Sequence, residues 1–409
     1  MKRVAVTGLG CITPVGNNVE SFWDSIINGR HGISEITRFD ASGLKVHIAA
    51  EVKDFDAEEY MEKTEARRSD LYTQYALAAA MQAMDDSGIA GSINAERLGV
   101  YIGSGIGGIE TFMREHQKML EKGAGRISPF FIPMMIANMA SAQVAMRYGA
   151  MGPNLPIVSA CATSAHTIGE AFRAIKHGYA DAIIAGGAEA TINPLAMGGF
   201  INCMALSTTN DPDNASIPFD KRRDGFVMGE GAGMIVLEEF DHAAARGANI
   251  YCEIVGYGNT DDAHHITAPH PEAIGGSRMM QLAFEEAGIT EFDKLYINPH
   301  GTSTPLNDKT ETLAIKKALG EEAAYKAAIS STKSMTGHML GAAGGVEAIV
   351  AVKTLTTGIV PPTAGYNEAD PECDLDYVTE GMRRQQMELA LSMSLGFGGH
   401  NAGVLFKRI

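Results

Sequence analysis

The sequence predicts an α/β protein made of two related halves. Three observations carry that prediction. Short, glycine-bounded runs rich in β-formers alternate with helical stretches along the 409 residues. The alternation starts afresh after about residue 250, and one helix in each half repeats five residue identities at a single spacing. Apolar strands set between helices are those of a sheet buried on both faces.

"RVAVTGL" is the first strand, and a helical pattern runs from Arg67 to Ser87. "LGVYIGSG" and "NLPIVSA" read as strands, followed by a helix from Ala162 to His177. "DAIIAGGAEA" and "GAGMIVLEEF" then close the first half as strands. The second half opens on the strand "CEIVGYGNT", with a helix near Glu272 to Ala287 behind it. "KLYINPHG", a helix from Asp308, "AAISSTKS", a glycine-rich helix and two final strands complete it. The pattern divides the chain into residues 1–250 and 251–409. Ala165, Glu170, Ala171, Ala174 and Lys176 recur as Ala342, Glu347, Ala348, Ala351 and Lys353, each pair 177 apart (342 − 165). The echo points to duplication. At that offset Cys161 is paired with His338, each opening a central helix.

A net charge of −16 and a pI near 5.2 argue against general affinity for nucleic acid or anionic membrane. Five scattered cysteines form neither a disulfide framework nor a CxxC metal pattern, which favours the cytosol. "MKRVAVTGLG" reads as a strand rather than a signal peptide, and no stretch reaches the roughly 18 apolar residues of a membrane helix.

Four segments carry chemistry: "SACATSAH" with Cys161, "NPHGTSTPLND" with His300, "STKSMTGHMLGAAG" with Lys333 and His338, and "SLGFGGHNAG" with Phe397. Each follows a strand-like run, and strand ends are where α/β proteins place their sites. Cys161 alone reads as a small core residue or as a nucleophile favoured by a helix N-terminus. A thiol with two histidines and a lysine is equipment for acyl transfer.

These segments, in this order, resemble the β-ketoacyl-acyl carrier protein synthases of the thiolase superfamily, most closely the type II condensing enzymes of fatty-acid elongation. The likeness runs from "VAVTGLGCITPVGN" through "PFDKRRDGFVMGEGAG" and "PPTAGYNEADPECDLDYV" to the end. It implies a five-layered αβαβα thiolase-like fold, a homodimer, and a decarboxylative Claisen condensation with Cys161 as acyl carrier. It also implies that His300 and His338 donate to the malonyl enolate, and that the backbone amides of Cys161 and Phe397 form the oxyanion hole. Lys333 would fix the electrostatics near His338, and Glu347 would hold Lys333. Thr267, Thr302 and Thr304 would touch the pantetheine arm, Ile106 would line the acyl pocket with Phe200 nearby, and Phe397 would gate the entrance. No resident cofactor is implied, because phosphopantetheine arrives on the acyl carrier protein.

"DDAHHITAPH" gathers Asp261, Asp262, His264, His265 and His270 without a zinc spacing, and "GSGIGG" lacks the context of a dinucleotide site. Lys63, Arg67 and Arg68, extended by Arg126, form a basic cluster suited to an acidic carrier protein. Two residues depart from the family pattern. Met393 replaces an asparagine that relatives use for a monovalent cation, and His400 stands where many have threonine. A non-catalytic chain-length factor is the first rival reading, opposed by Cys161, His300 and His338. A cysteine hydrolase is the second.

Overall fold

The computed structural model describes residues 1–409. Nine strands form one mixed sheet: β1 (Val4–Ile12), β2 (Leu98–Gly103), β3 (Ala182–Glu189), β4 (Gly231–Glu239), β5 (Cys252–Asp261), β6 (Leu295–Asn298), β7 (Ala328–Ile329), β8 (Leu389–Gly396) and β9 (His400–Lys407). Their order is β2-β3-β4-β1-β5-β9-β8-β6-β7. Outward from the middle, both sides follow one plan. Antiparallel neighbours come first (β1-β4-β3 and β5-β9-β8), then a parallel one (β2 and β6). At the far edges β7 pairs with β6 in parallel, and Asn154 makes a single parallel bridge to Val100 of β2. The two sides meet where β1 and β5 pair antiparallel over three residues, Val4 with Ile254, Ala5 with Glu253 and Val6 with Cys252.

Five helices complete the layers: α1 (Leu71–Ser87), α2 (Thr163–Lys176), α3 (Ile274–Ala287), α4 (Pro305–Leu319) and α5 (Ala343–Thr357). α1 covers the outer face of the first side, α3 and α4 belong to the outer layer of the second, and α2 and α5 pack together between the two. The result is the thiolase-like αβαβα arrangement. The largest apolar core, 43 buried residues, lies mainly in this middle layer and draws on both sides, so the halves share a core.

The outer helices approach their strands at glycines. A Cβ on Gly8 or Gly10 of β1 would stand 2.1 Å from the Ala83 or Ala79 carbonyl of α1. On β5, a Cβ on Gly256 or Gly258 would stand 2.0 or 1.8 Å from the Ala283 or Met279 carbonyl of α3. Both halves use one device: glycines two apart face the helix because strand side chains alternate.

The repeat has a different register from the sequence echo. α2 and α5 each follow a 3₁₀ turn that begins on a non-glycine residue of positive φ, Ala160 (51°) and Leu340 (46°), and each precedes a left-handed glycine, Gly178 and Gly358. Both pairs are 180 apart (340 − 160 and 358 − 178). Cys161 is therefore equivalent to Gly341, and His338 stands three residues earlier. Three residues is close to one helical turn, so an alanine-rich helix matches itself almost as well when slipped by that amount.

Two local expectations change as well. The pattern from Arg67 to Ser87 breaks before Leu71 because Asp70 caps α1, accepting from the Tyr72 amide. "NLPIVSA" is extended but makes only the isolated bridge, leaving Leu155 and Val158 49% and 54% exposed on an open edge.

Candidate active site

Cys161 sits in the 3₁₀ turn at the mouth of α2, immediately after the left-handed Ala160. Burial pushes its thiol up to about 12; the charge of Lys333 pulls the other way, and that of Glu189 adds to the rise. The backbone amides of Cys161 and Phe397 both reach toward the sulfur. Burial therefore outweighs the helix N-terminus, and the resting group is a thiol.

His300 follows β6, where the chain turns sharply through Gly301 (φ 40°) and Ser303 (φ 70°). Its amide and that of Gly301 donate to the buried Glu311 carboxylate, the second at 2.7 Å. His338 follows a short helix (Lys333–Thr336) and Gly337 (φ 63°). Its amide donates to the Val227 carbonyl at 2.7 Å, and its own carbonyl accepts from Gly229 at 2.9 Å. The imidazoles meet edge to face with centroids 5.2 Å apart. Cys161 Sγ and a nitrogen of each ring all lie within 4.8 Å of one another. Burial, followed by the Lys333 charge, holds both histidines well below their usual range, so the pair is neutral. Neither Nδ1 has a hydrogen-bond partner in the protein.

These three side chains line a cavity of about 380 Å³ together with Phe200, Thr267, Thr302, Thr304 and Phe397. The Thr302 and Thr304 hydroxyls are 3.0 Å apart. The Phe397 and Phe200 rings are 6.4 Å apart on the apolar side. Phe397 lies between Gly396 and Gly398 (φ 92°), and with Gly399 (φ 88°) this backbone would resist side chains at the last two positions. Lys333 and Glu347 do not line the cavity. They form a buried ion pair, and the Lys333 charge reaches both histidines.

Ile106 is not among the residues lining this cavity and is 40% exposed in the single chain, and its amide donates to Glu189. The basic residues are all exposed. Lys63 pairs with Glu58 at 2.8 Å, and the Arg68 guanidinium lies 4.7 Å over the Phe130 ring, on the segment that carries Arg126. Within the acid–histidine run, Asp262 accepts from the His270 amide and from the Asn401 side chain, and His265 accepts from the Thr267 amide. Met393 is fully buried in an apolar cluster, and its side chain offers no oxygen ligand where the family pattern has an asparagine. His166 is engaged elsewhere, with Ser159 at 2.6 Å and Asn259 at 3.1 Å.

Sequence reasoning missed two buried carboxylates, Glu189 and Glu311. Burial pushes Glu311 up to about 7 against the pull of the Gly301 and His300 amides. An acidic residue at the end of a fully buried strand, "AIIAGGAE", was the available signal for Glu189.

A family model described as "Beta-ketoacyl synthase, N-terminal domain" matches residues 1–243, and "Beta-ketoacyl synthase, C-terminal domain" matches residues 251–367. The chain is 52% identical over 408 residues to "3-oxoacyl-[acyl-carrier-protein] synthase 2" of Staphylococcus aureus (strain COL), covering 100% of this chain and 98% of that protein. It is 52% identical over 409 residues to the protein of the same name from Synechocystis sp., with the same coverage. Among solved structures, a β-ketoacyl synthase from Burkholderia phymatum STM815 superposes with a TM-score of 0.93 at 34% identity, covering 100% of both chains. A type II polyketide ketosynthase in complex with its acyl-carrier protein superposes with a TM-score of 0.92 at 33% identity, covering 100% of this chain and 99% of that one.

Proposed function

The chain belongs to the β-ketoacyl synthase family, and from that premise we infer how its site works as a 3-oxoacyl-[acyl-carrier-protein] synthase, the condensing acyltransferase of fatty-acid synthesis. The observation that carries the reading is the meeting of the Cys161 thiol with two neutral imidazoles in one cavity.

The Cys161 sulfur attacks the thioester carbonyl of an acyl carrier while its proton passes to a neighbouring imidazole. The Cys161 and Phe397 amides receive the oxyanion. The carrier thiol leaves with a proton, and the acyl group stays on sulfur. Malonyl carrier then enters. Its carbon–carboxylate bond breaks, carbon dioxide departs, and the electron pair moves into an enolate whose oxygen accepts from His300 and His338, each carrying its proton on Nε2. The enolate carbon attacks the acyl carbonyl, the carbon–sulfur bond breaks, and the departing Cys161 thiolate takes up one proton from solvent, the proton that the decarboxylative condensation consumes. Neutral donors suit this step, since imidazolium at both positions beside Lys333 would place like charges in a buried site. Thr267, Thr302 and Thr304 hold the pantetheine arm with their hydroxyls, and Phe200 and Phe397 wall the acyl side.

The partner is an acyl carrier protein, docking on Lys63, Arg67, Arg68 and Arg126, and the enzyme needs no cofactor of its own. The open edge at Leu155 and Val158 supports a homodimer with this segment near its axis. No helix is long and apolar enough to cross a membrane. All five cysteines are free, which supports a cytoplasmic setting.

The test is purified protein supplied with acyl and malonyl carriers. Carbon dioxide and a two-carbon-longer 3-oxoacyl product should appear together, and both should fail to couple after Cys161 is alkylated. Hydrolysis of acyl carrier without condensation would make it a cysteine hydrolase instead.

A further inference from the structure

Glu189 closes strand β3, is fully buried, and takes part in no step above. Its Oε1 accepts from the Ser104 hydroxyl at 2.8 Å and the Ile106 amide at 3.1 Å. Its Oε2 accepts from the Gly105 amide at 2.8 Å and the Gly341 amide at 3.0 Å. Ser104 Oγ itself accepts from the Gly107 amide at 2.9 Å, so its proton is committed to the carboxylate. Four donors and no acceptor make a cradle for the ionised form, because a protonated oxygen would set its O–H against one of them. Burial pushes this carboxyl up, and the four donors offset part of that rise.

The cradle leaves no room for side chains. A Cβ on Gly105 or Gly341 would stand 2.7 Å from Oε2, and the one on Gly105 would also stand 3.6 Å from the Ala160 carbonyl, next to Cys161. The carboxylate and the nucleophile's turn therefore flank the same glycine. The other ionisable groups acting at this place are few. His300 and His338 are neutral, and Lys333 is paired with Glu347.

We propose that Glu189 is a positioning residue: it ties the Ser104–Ile106 loop of the first half to the Gly341 turn of the second, and it sets a fixed negative charge against ionisation of Cys161. The proposal rests on Cys161 being the acyl-carrying thiol. The charge adds to burial in keeping the resting sulfur protonated and slow toward stray electrophiles and oxidants. A thioester seated in the oxyanion hole, with an imidazole to take the proton, restores reactivity only where it is wanted.

The test is the pH profile of iodoacetamide alkylation, followed on the Cys161 peptide because Cys203 is exposed. Glu189→Gln should move the profile down by about one pH unit, which is about tenfold faster alkylation near neutrality. Ser104→Ala removes a donor that offsets the charge; compared above about pH 9, where a buried carboxyl is ionised even without that donor, its profile should move the opposite way. A merely structural carboxylate predicts shifts of one sign in both variants, or none, and either result overturns the proposal. If Glu189→Gln does not fold, Ser104→Ala decides alone, and unchanged or faster alkylation sinks the idea. Alkylation needs no carrier substrate, so failure here is separate from failure of the native protein to condense.

Discussion

Lys333 and Glu347 form an ion pair that solvent does not reach, their side chains 1% and 3% exposed. Removing one partner strands the other's charge in the core. Lys333→Met or Glu347→Leu alone should cost about 3–5 kcal/mol in denaturant unfolding, whereas the double variant should recover most of it. A double variant as unstable as the sum of the singles would show that the two charges are not coupled.

Cys161→Ala should abolish condensation and leave malonyl decarboxylation measurable, because that step needs only donors at the enolate oxygen. His300→Ala and His338→Ala should each slow carbon dioxide release by about 10²–10³-fold, the effect of losing one oxyanion-type donor. Intact release in both histidine variants would contradict the mechanism.

The neutral histidines also leave a signature in stability. Each has a folded-state value below its unfolded one, so its contribution is complete above the unfolded value and is lost as pH falls toward the folded value. Buried glutamates that are pushed up, among them Glu230 and Glu311 at about 7, act in the opposite sense, so the whole-protein curve mixes signs. The difference between native protein and His338→Asn isolates one term. That gap should narrow between about pH 6.5 and 5, by up to about 1.4 kcal/mol per pH unit. A gap constant over this range would mean that His338 takes up a proton in the native state.

Charge reversal at Arg67 or Arg68 should raise KM for carrier-borne substrates while leaving small thioester analogues nearly unaffected. The difference should shrink with added salt, since exposed charges are screened beyond about 10 Å at 0.1 M. Equal losses on both substrate types would move the dock elsewhere.

Val158→Asp should weaken self-association, because it places a charge on the open edge at a position that is 54% exposed in the single chain. Sedimentation at micromolar concentration should show a shift toward monomer; a native protein that is itself monomeric there removes the homodimer.

The site's reacting groups were legible because each lies in a short, glycine- and hydroxyl-rich segment, as in "NPHGTST" and "TGHMLGAAG", where local spacing carries the signal. Glu189 and Glu311 were not, because their partners are mainly backbone amides, which any residue supplies; for Glu189 these lie 83 to 152 positions away. The α/β alternation was plain, yet the repeat offset was wrong by one helical turn, since alanine-rich helices distinguish neighbouring turns poorly.

The equivalence of Cys161 with Gly341 makes the two halves unequal at one and the same turn. One copy of the turn carries a reactive side chain; the other carries none, and a carboxylate from the first half fills the room beside it. A thiol placed at position 341 would collide with Glu189 before it could serve as a second nucleophile. Sterics thus confine the chemistry to one of the two turns.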